Sequence, residues 1–202
     1  MRGNLDCLHF PLTGYPSCDI QEWERIFRIY KSYGLNHVRF HSWCPPEAAF
    51  TAADRIGIYI QAEVLWIDWW MSVVRKERPE MTTRGLPKGL GHNPSADKFV
   101  PEELQRMIEA YGNHPSFTML CIGNELGNSN FDIMQQWIKS LQEKDPRRLY
   151  AISTARKIMP ADQYMVTHNI PQTGGTYGIN GSGTDNDRES IYSKATIPVI
   201  EI

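Results

Sequence analysis

The chain has 202 residues, enough for one or two domains with a sizeable core. Its 21 Lys plus Arg against 23 Asp plus Glu leave a net charge of −2, which argues against nucleic acid or an anionic membrane as the main partner. The 41% apolar and 22% charged residues are those of an ordinary globular protein, and no apolar run reaches the roughly 20 residues that span a bilayer.

No signal peptide is expected at the start of the chain, because Arg2-Gly3-Asn4 leads straight into mixed sequence. The first clear helix is predicted near 20–33. Asp19 and Glu22 stand at capping-box spacing, with Asp in place of the usual Ser or Thr. Trp23, Ile26, Phe27 and Tyr30 then form one apolar stripe, and Gly34 is a natural stop. A strand is expected over 36–41. Pro45-Pro46 opens a second helix through Arg55, closed by Gly57, and 58–64 reads as the next strand. The segment 65–99 carries Gly, Pro and charge without a steady period and is expected to be a long loop.

Pro101 is expected to open a third helix, with Leu104, Met107, Ile108 and Tyr111 on one face. The continuous apolar run 117–122 predicts a strand covered on both faces. Asn130 can cap a fourth helix with Phe131, Met134, Trp137, Ile138 and Leu141 inward. Further strands are expected at 149–153, 164–167 and 197–202, and the Gly-rich stretch 172–187 reads as a flexible loop. The four cysteines, Cys7, Cys18, Cys44 and Cys121, show neither CxxC nor finger spacing, so they are expected to be buried free thiols. Disulfides would need a secreted context.

Strand alternating with helix predicts parallel βαβ units. A doubly wound sheet would usually carry a Gly-rich phosphate turn after its first strand, and none is present. The alternative is an α/β architecture of the (β/α)8 TIM barrel kind, which typically takes about 250 residues. The chain supplies about seven strands, so the expectation is a barrel spanning 1–202 and incomplete at its C-terminus.

Active sites of such barrels lie at the C-terminal strand ends. Those ends carry Arg39-Phe40-His41-Ser42-Trp43, Glu63-Val64-Leu65-Trp66, Gly123-Asn124-Glu125, His168-Asn169 and Glu201. A carboxyl directly after an apolar strand is costly unless used, which singles out Glu125. Half-buried, it would have a raised pKa suited to a general acid. A helix cap or a loop ion pair would explain it equally well. Trp43, Trp66, Trp69 and Trp70 fall in rim loops, where aromatics can stack on sugar C–H faces; Trp69 and Trp70 could instead plug the barrel mouth or bury against the next domain.

His37 and His41 share a strand face but stand about 13 Å apart, too far to share a metal. Neither His-x-His nor His-Glu-x-x-His occurs, which disfavours a metal hydrolase, and there is no Gly-x-Ser-x-Gly elbow for a serine hydrolase. For His37 a core role is expected.

The residues also resemble a known family. Gly34-Leu35-Asn36-His37-Val38-Arg39, Asp54-Arg55 with Gly57-Ile58-Tyr59, and His114-Pro115-Ser116-Phe117 followed by Gly123-Asn124-Glu125 are similar to the barrel domain of glycoside hydrolase family 2, which includes β-galactosidases, β-glucuronidases and β-mannosidases. The run from Arg39 to Phe50 resembles a branch of bacterial polysaccharide degraders within it. The likeness covers nearly the whole chain.

The resemblance implies a retaining glycosidase acting on a β-linked non-reducing-end sugar without a cofactor or metal. Glu125 would be the acid/base and Asn124 would hold the sugar 2-hydroxyl. Arg39, His41, Trp43, Glu63, Trp66 and His168 would line the substrate site. The nucleophile would be Glu201, in Pro198-Val199-Ile200-Glu201. The family leaves four residues between that Pro and that Glu. This chain leaves two, which keeps the strand face but draws the carboxyl back by about 6.6 Å.

The family usually precedes the barrel with β-sandwich domains, absent here, so the chain reads as a catalytic-domain fragment of an exported parent. An unfinished barrel is expected to self-associate through its open edges and to turn over little substrate. The competing reading is a silent sugar-binding barrel, which the spacing at Glu201 favours.

Overall fold

The computed structural model describes residues 1–67, 89–154, 157–167 and 196–201. Five strands, β1 (Gly3–Asp6), β2 (His37–Phe40), β3 (Tyr59–Glu63), β4 (Phe117–Asn124) and β5 (Leu149–Thr154), form one parallel sheet in chain order. Two more, β6 (Met165–Thr167) and β7 (Val199–Glu201), pair parallel with each other. The main-chain N–H of Gln163, just before β6, donates to the Tyr150 carbonyl on β5 at 2.9 Å, so β6 begins beside β5. Sequential parallel strands with helices on one side are the arrangement of a (β/α)8 barrel, and the described residues hold seven of its strands.

The helices are α1 (Ile20–Ser32), α2 (Glu47–Ile56), α3 (Pro94–Tyr111) and α4 (Phe131–Lys144). Asp19 caps α1 by accepting from the Gln21 N–H at 2.8 Å. Glu22 does not reach back to the cap and pairs with Arg25 instead. Trp23 and Phe27 of α1 are fully buried; burying Phe27 alone is worth about 1.5–3 kcal/mol. α2 ends as expected on Gly57, whose φ of 78° is the left-handed conformation a helix C-terminus wants. Asn130 caps α4 by accepting from the Asp132 and Ile133 N–H groups.

α3 corrects the sequence reading. It starts at Pro94 and not at Pro101, so 94–99 is helix and not loop. Asn93 is the cap, accepting from Ser95 and Ala96, and Pro94 takes the first turn, where a missing N–H costs nothing. Pro101 lies inside the helix. The rest of the expected long loop, 68–88, and the Gly-rich stretch 172–187 lie outside the described residues.

Two apolar layers result. Outside the sheet, Val38, Phe40, Ile60, Ala62, Leu120, Ile122, Tyr150 and Ile152 pack against the helices. Inside, Met119, Cys121, Ala151, Tyr164 and Val166 form a separate, smaller cluster. The cysteines are free thiols, but only Cys121 is buried, while Cys18 is exposed and Cys7 and Cys44 are half-buried. Cys18 precedes a surface cap and has no apolar layer to enter. Among the described residues no helix is long and apolar enough to cross a membrane.

Candidate active site

Alternation along β2 and β3 sends Val38 and Ile60 to the helices and leaves Arg39 and Glu63 for the barrel interior. There the Arg39 guanidinium meets the Glu63 carboxylate at 2.6 Å, with exposures of 3% and 0%. Glu63 also accepts from the Ser42 hydroxyl at 2.7 Å and the Gln61 amide at 3.2 Å. Arg39 reaches on to Asn124 Oδ1 at 2.9 Å and to the Thr154 hydroxyl at 3.2 Å. Thr154 in turn donates to Asn124 Oδ1. One guanidinium thus ties together residues on β2, β3, β4 and β5. Burial works against the Arg39 charge, but the Glu63 carboxylate outweighs it and holds the Arg39 pKa above its ordinary value.

Glu125 directly follows Asn124. Its backbone is left-handed, with φ of 55°, uncommon for a residue with a side chain. Two hydrogen bonds hold the turn: Glu125 N–H donates to the Thr154 carbonyl at 3.0 Å, and Leu126 N–H to the Ser153 hydroxyl at 3.0 Å. Asn124 N–H donates to the Ile67 carbonyl at 2.9 Å. A Cβ on Gly123 would run into that same carbonyl oxygen, so only glycine fits where the loop after β3 crosses β4. Glu125 is half-buried at the strand end.

The other expected site residues fall differently. His41 is half-buried, with Nδ1 3.6 Å from Cys7 Sγ. Trp66 is 69% exposed on the rim, its own φ at 62°. Trp43 departs from expectation. It is 3% exposed, its ring packs edge-on to Phe40 at 4.8 Å, and its indole N–H donates to the Asp6 carbonyl at 3.1 Å. With Phe10 and Trp23 around it, Trp43 is core and presents no face to a ligand. Glu63 is fully buried and bonded to Arg39, Ser42 and Gln61.

Glu201 is the last residue of β7, opposite Thr167. His168, Trp69 and Trp70 lie outside the described residues. His37 is a core histidine as expected: burial, with help from the chain amino group and Arg39, brings its pKa down to about 4. Sequence reasoning missed Gln61 and Thr154, and it named Ser42 at the strand end without giving it a role. The period of two that pairs Gln61 with Glu63 on one face was the available signal for Gln61.

A family model described as "Glycosyl hydrolases family 2, TIM barrel domain" matches residues 15–175. The chain belongs to this family. It is 27% identical over 123 residues to a β-galactosidase of Leuconostoc mesenteroides subsp. mesenteroides, a match that covers 59% of this chain and 10% of that protein. Its fold is similar to a β-glucuronidase of Parabacteroides merdae, at TM-score 0.67 and 17% identity over 99% of this chain and 23% of that one. It is also similar to β-glucuronidase 2 of Bacteroides uniformis covalently bound to cyclophellitol-6-carboxylate aziridine, at TM-score 0.58 and 16% identity over 86% of this chain and 19% of that one. The chain therefore spans from about a tenth to about a quarter of the length of these relatives.

Proposed function

We propose that this barrel cleaves a β-linked non-reducing-end sugar by double displacement with retention. The observation that carries the reading is the Asn124-Glu125 step at the end of β4, held in a left-handed turn by Thr154 and Ile67 while Arg39 fixes the Asn124 amide. With Oδ1 committed to Arg39 and Thr154, the direction of the Asn124 Nδ2 donor is set, and we assign it to the sugar 2-hydroxyl. Glu125 is the assigned acid/base. It protonates the leaving oxygen and later takes a proton from the attacking water.

Glu201 is the assigned nucleophile; it ends β7, opposite Thr167 of β6. Retention requires the two carboxyl groups to be about 5–5.5 Å apart. Arg39 and Glu63 act through Asn124, while His41, Trp66 and His168 are assigned to the sugar-facing rim. The covalent complex of the Bacteroides uniformis relative supports a nucleophile in this fold. The substrate class is a carbohydrate.

The test is trapping. An activated 2-deoxy-2-fluoroglycoside should add one glycosyl mass to the peptide that contains Glu201. Labelling of another carboxyl would move the nucleophile. The short Pro198-to-Glu201 spacing favours a second reading, a sugar-binding barrel without turnover. That reading predicts no label in a complete enzyme carrying this barrel, together with retained sugar binding.

A further inference from the structure

The register of β1 against β2 sets Asp6 opposite Phe40. The next residues on each, Cys7 and His41, therefore meet at the barrel mouth, with Sγ and Nδ1 3.6 Å apart. The His41 N–H donates to the Asp6 carbonyl at 2.8 Å, which holds the imidazole's backbone beside the thiol. The chain then turns sharply: Leu8 is left-handed at φ 62°, and its N–H is held by Asp6 Oδ1 at 3.0 Å. Both Cys7 and His41 are half-buried. The other thiols differ. Cys121 is sealed in the barrel interior, Cys44 is half-buried against the helix-side core, and Cys18 is exposed.

We propose that Cys7 and His41 form a thiol–imidazole couple that accepts soft carbon electrophiles of the α,β-unsaturated carbonyl class. The step is an addition. The Cys7 sulfur bonds to the β-carbon of the electrophile, and the alkene electron pair moves into the carbonyl as an enolate. The thiol proton passes to His41 Nδ1 and from there to the α-carbon. The net change is S–H added across C=C, with no leaving group and no oxidant. Nothing in the two-carboxylate chemistry uses a thiol, so this assignment stands whether or not the glycosidase reading does.

The test labels the whole 202-residue chain with limiting N-ethylmaleimide and follows each cysteine by peptide mass spectrometry. Because His41 Nδ1 stands 3.6 Å from Cys7 Sγ and can take the thiol proton as the C–S bond forms, Cys7 should react about tenfold faster than the more exposed Cys18 at pH 6. His41→Gln should slow Cys7 about tenfold at pH 6. Equal rates for Cys7 and Cys18 at pH 6, or an unchanged Cys7 rate in a folded His41→Gln chain, would overturn the proposal. If His41→Gln does not fold, the unmodified chain decides: a Cys7 rate no faster than that of Cys18 at pH 6 overturns it.

Discussion

Arg39 donates to Asn124 Oδ1 across 2.9 Å, joining the end of β2 to the residue directly before Glu125. Whatever moves the guanidinium moves the strand end that carries the candidate acid. Lys cannot reproduce this reach, because it offers a point charge where Arg offers a planar fork. Arg39→Lys is therefore expected to lower kcat in a complete enzyme by about 10²-fold, the usual scale of a 1 Å misplacement, with a smaller change in KM. Steady-state kinetics on one substrate check this.

The partner charge gives a stability prediction. Glu63→Ala leaves a 3%-exposed guanidinium without its carboxylate. Breaking a buried pair from one side costs about 3–5 kcal/mol. Chemical denaturation should show a loss of that order, and Arg39→Met combined with Glu63→Leu should recover most of it.

Gly123 carries the second structural demand. An added Cβ would meet the Ile67 carbonyl carbon at 2.8 Å and its oxygen closer still, and both are backbone atoms that cannot rotate away. Gly123→Ala is expected to cost about 1–3 kcal/mol as overpacking and to disturb Asn124 and Glu125. Thermal melting, read beside sugar binding, separates the two effects.

His37 sets a pH dependence. Its folded pKa is about 4 against an ordinary 6.5, chiefly because burial disfavours the charged ring. Between those values the unfolded chain binds a proton that the folded chain refuses. Stability from this group is therefore intact above pH 6.5 and lost as pH falls toward 4, on the order of 3 kcal/mol in all. Asp162 runs the other way: burial raises its folded pKa to about 6, so its contribution improves as pH falls below that value. Comparing melting of the unmodified chain with His37→Gln at pH 7 and pH 5 isolates the histidine; the variant should lose less on acidification.

Much of this was legible in the chain. Asp19, Gly57 and Asn130 mark helix ends because caps act through local hydrogen bonds, which sequence spacing can show. β1 was not located, since Gly3-Asn4-Leu5-Asp6 lacks both alternation and β-branched residues. Trp43 was misplaced because strand-end position does not say whether the chain then turns its side chain to the rim or to the core. The indole bond to Asp6 settles that, and Asp6 lies far away in sequence.

The family motif itself divides in two. Asp54 accepts from Ser116 N–H at 2.9 Å and pairs with His114 at 2.6 Å, pinning α2 to the start of β4. Those residues serve the fold, whereas Arg39, Asn124 and Glu125 gather at the opposite strand ends.

The most direct test of the account is Glu125→Gln in a complete enzyme carrying this barrel, assayed on two glycosides that differ only in leaving group. A poor leaving group needs protonation, so its hydrolysis should nearly vanish. An activated aryl glycoside needs little, so its glycosylation step, read as a burst of aryl alcohol, should survive. Equal loss on both substrates would contradict Glu125 as the acid.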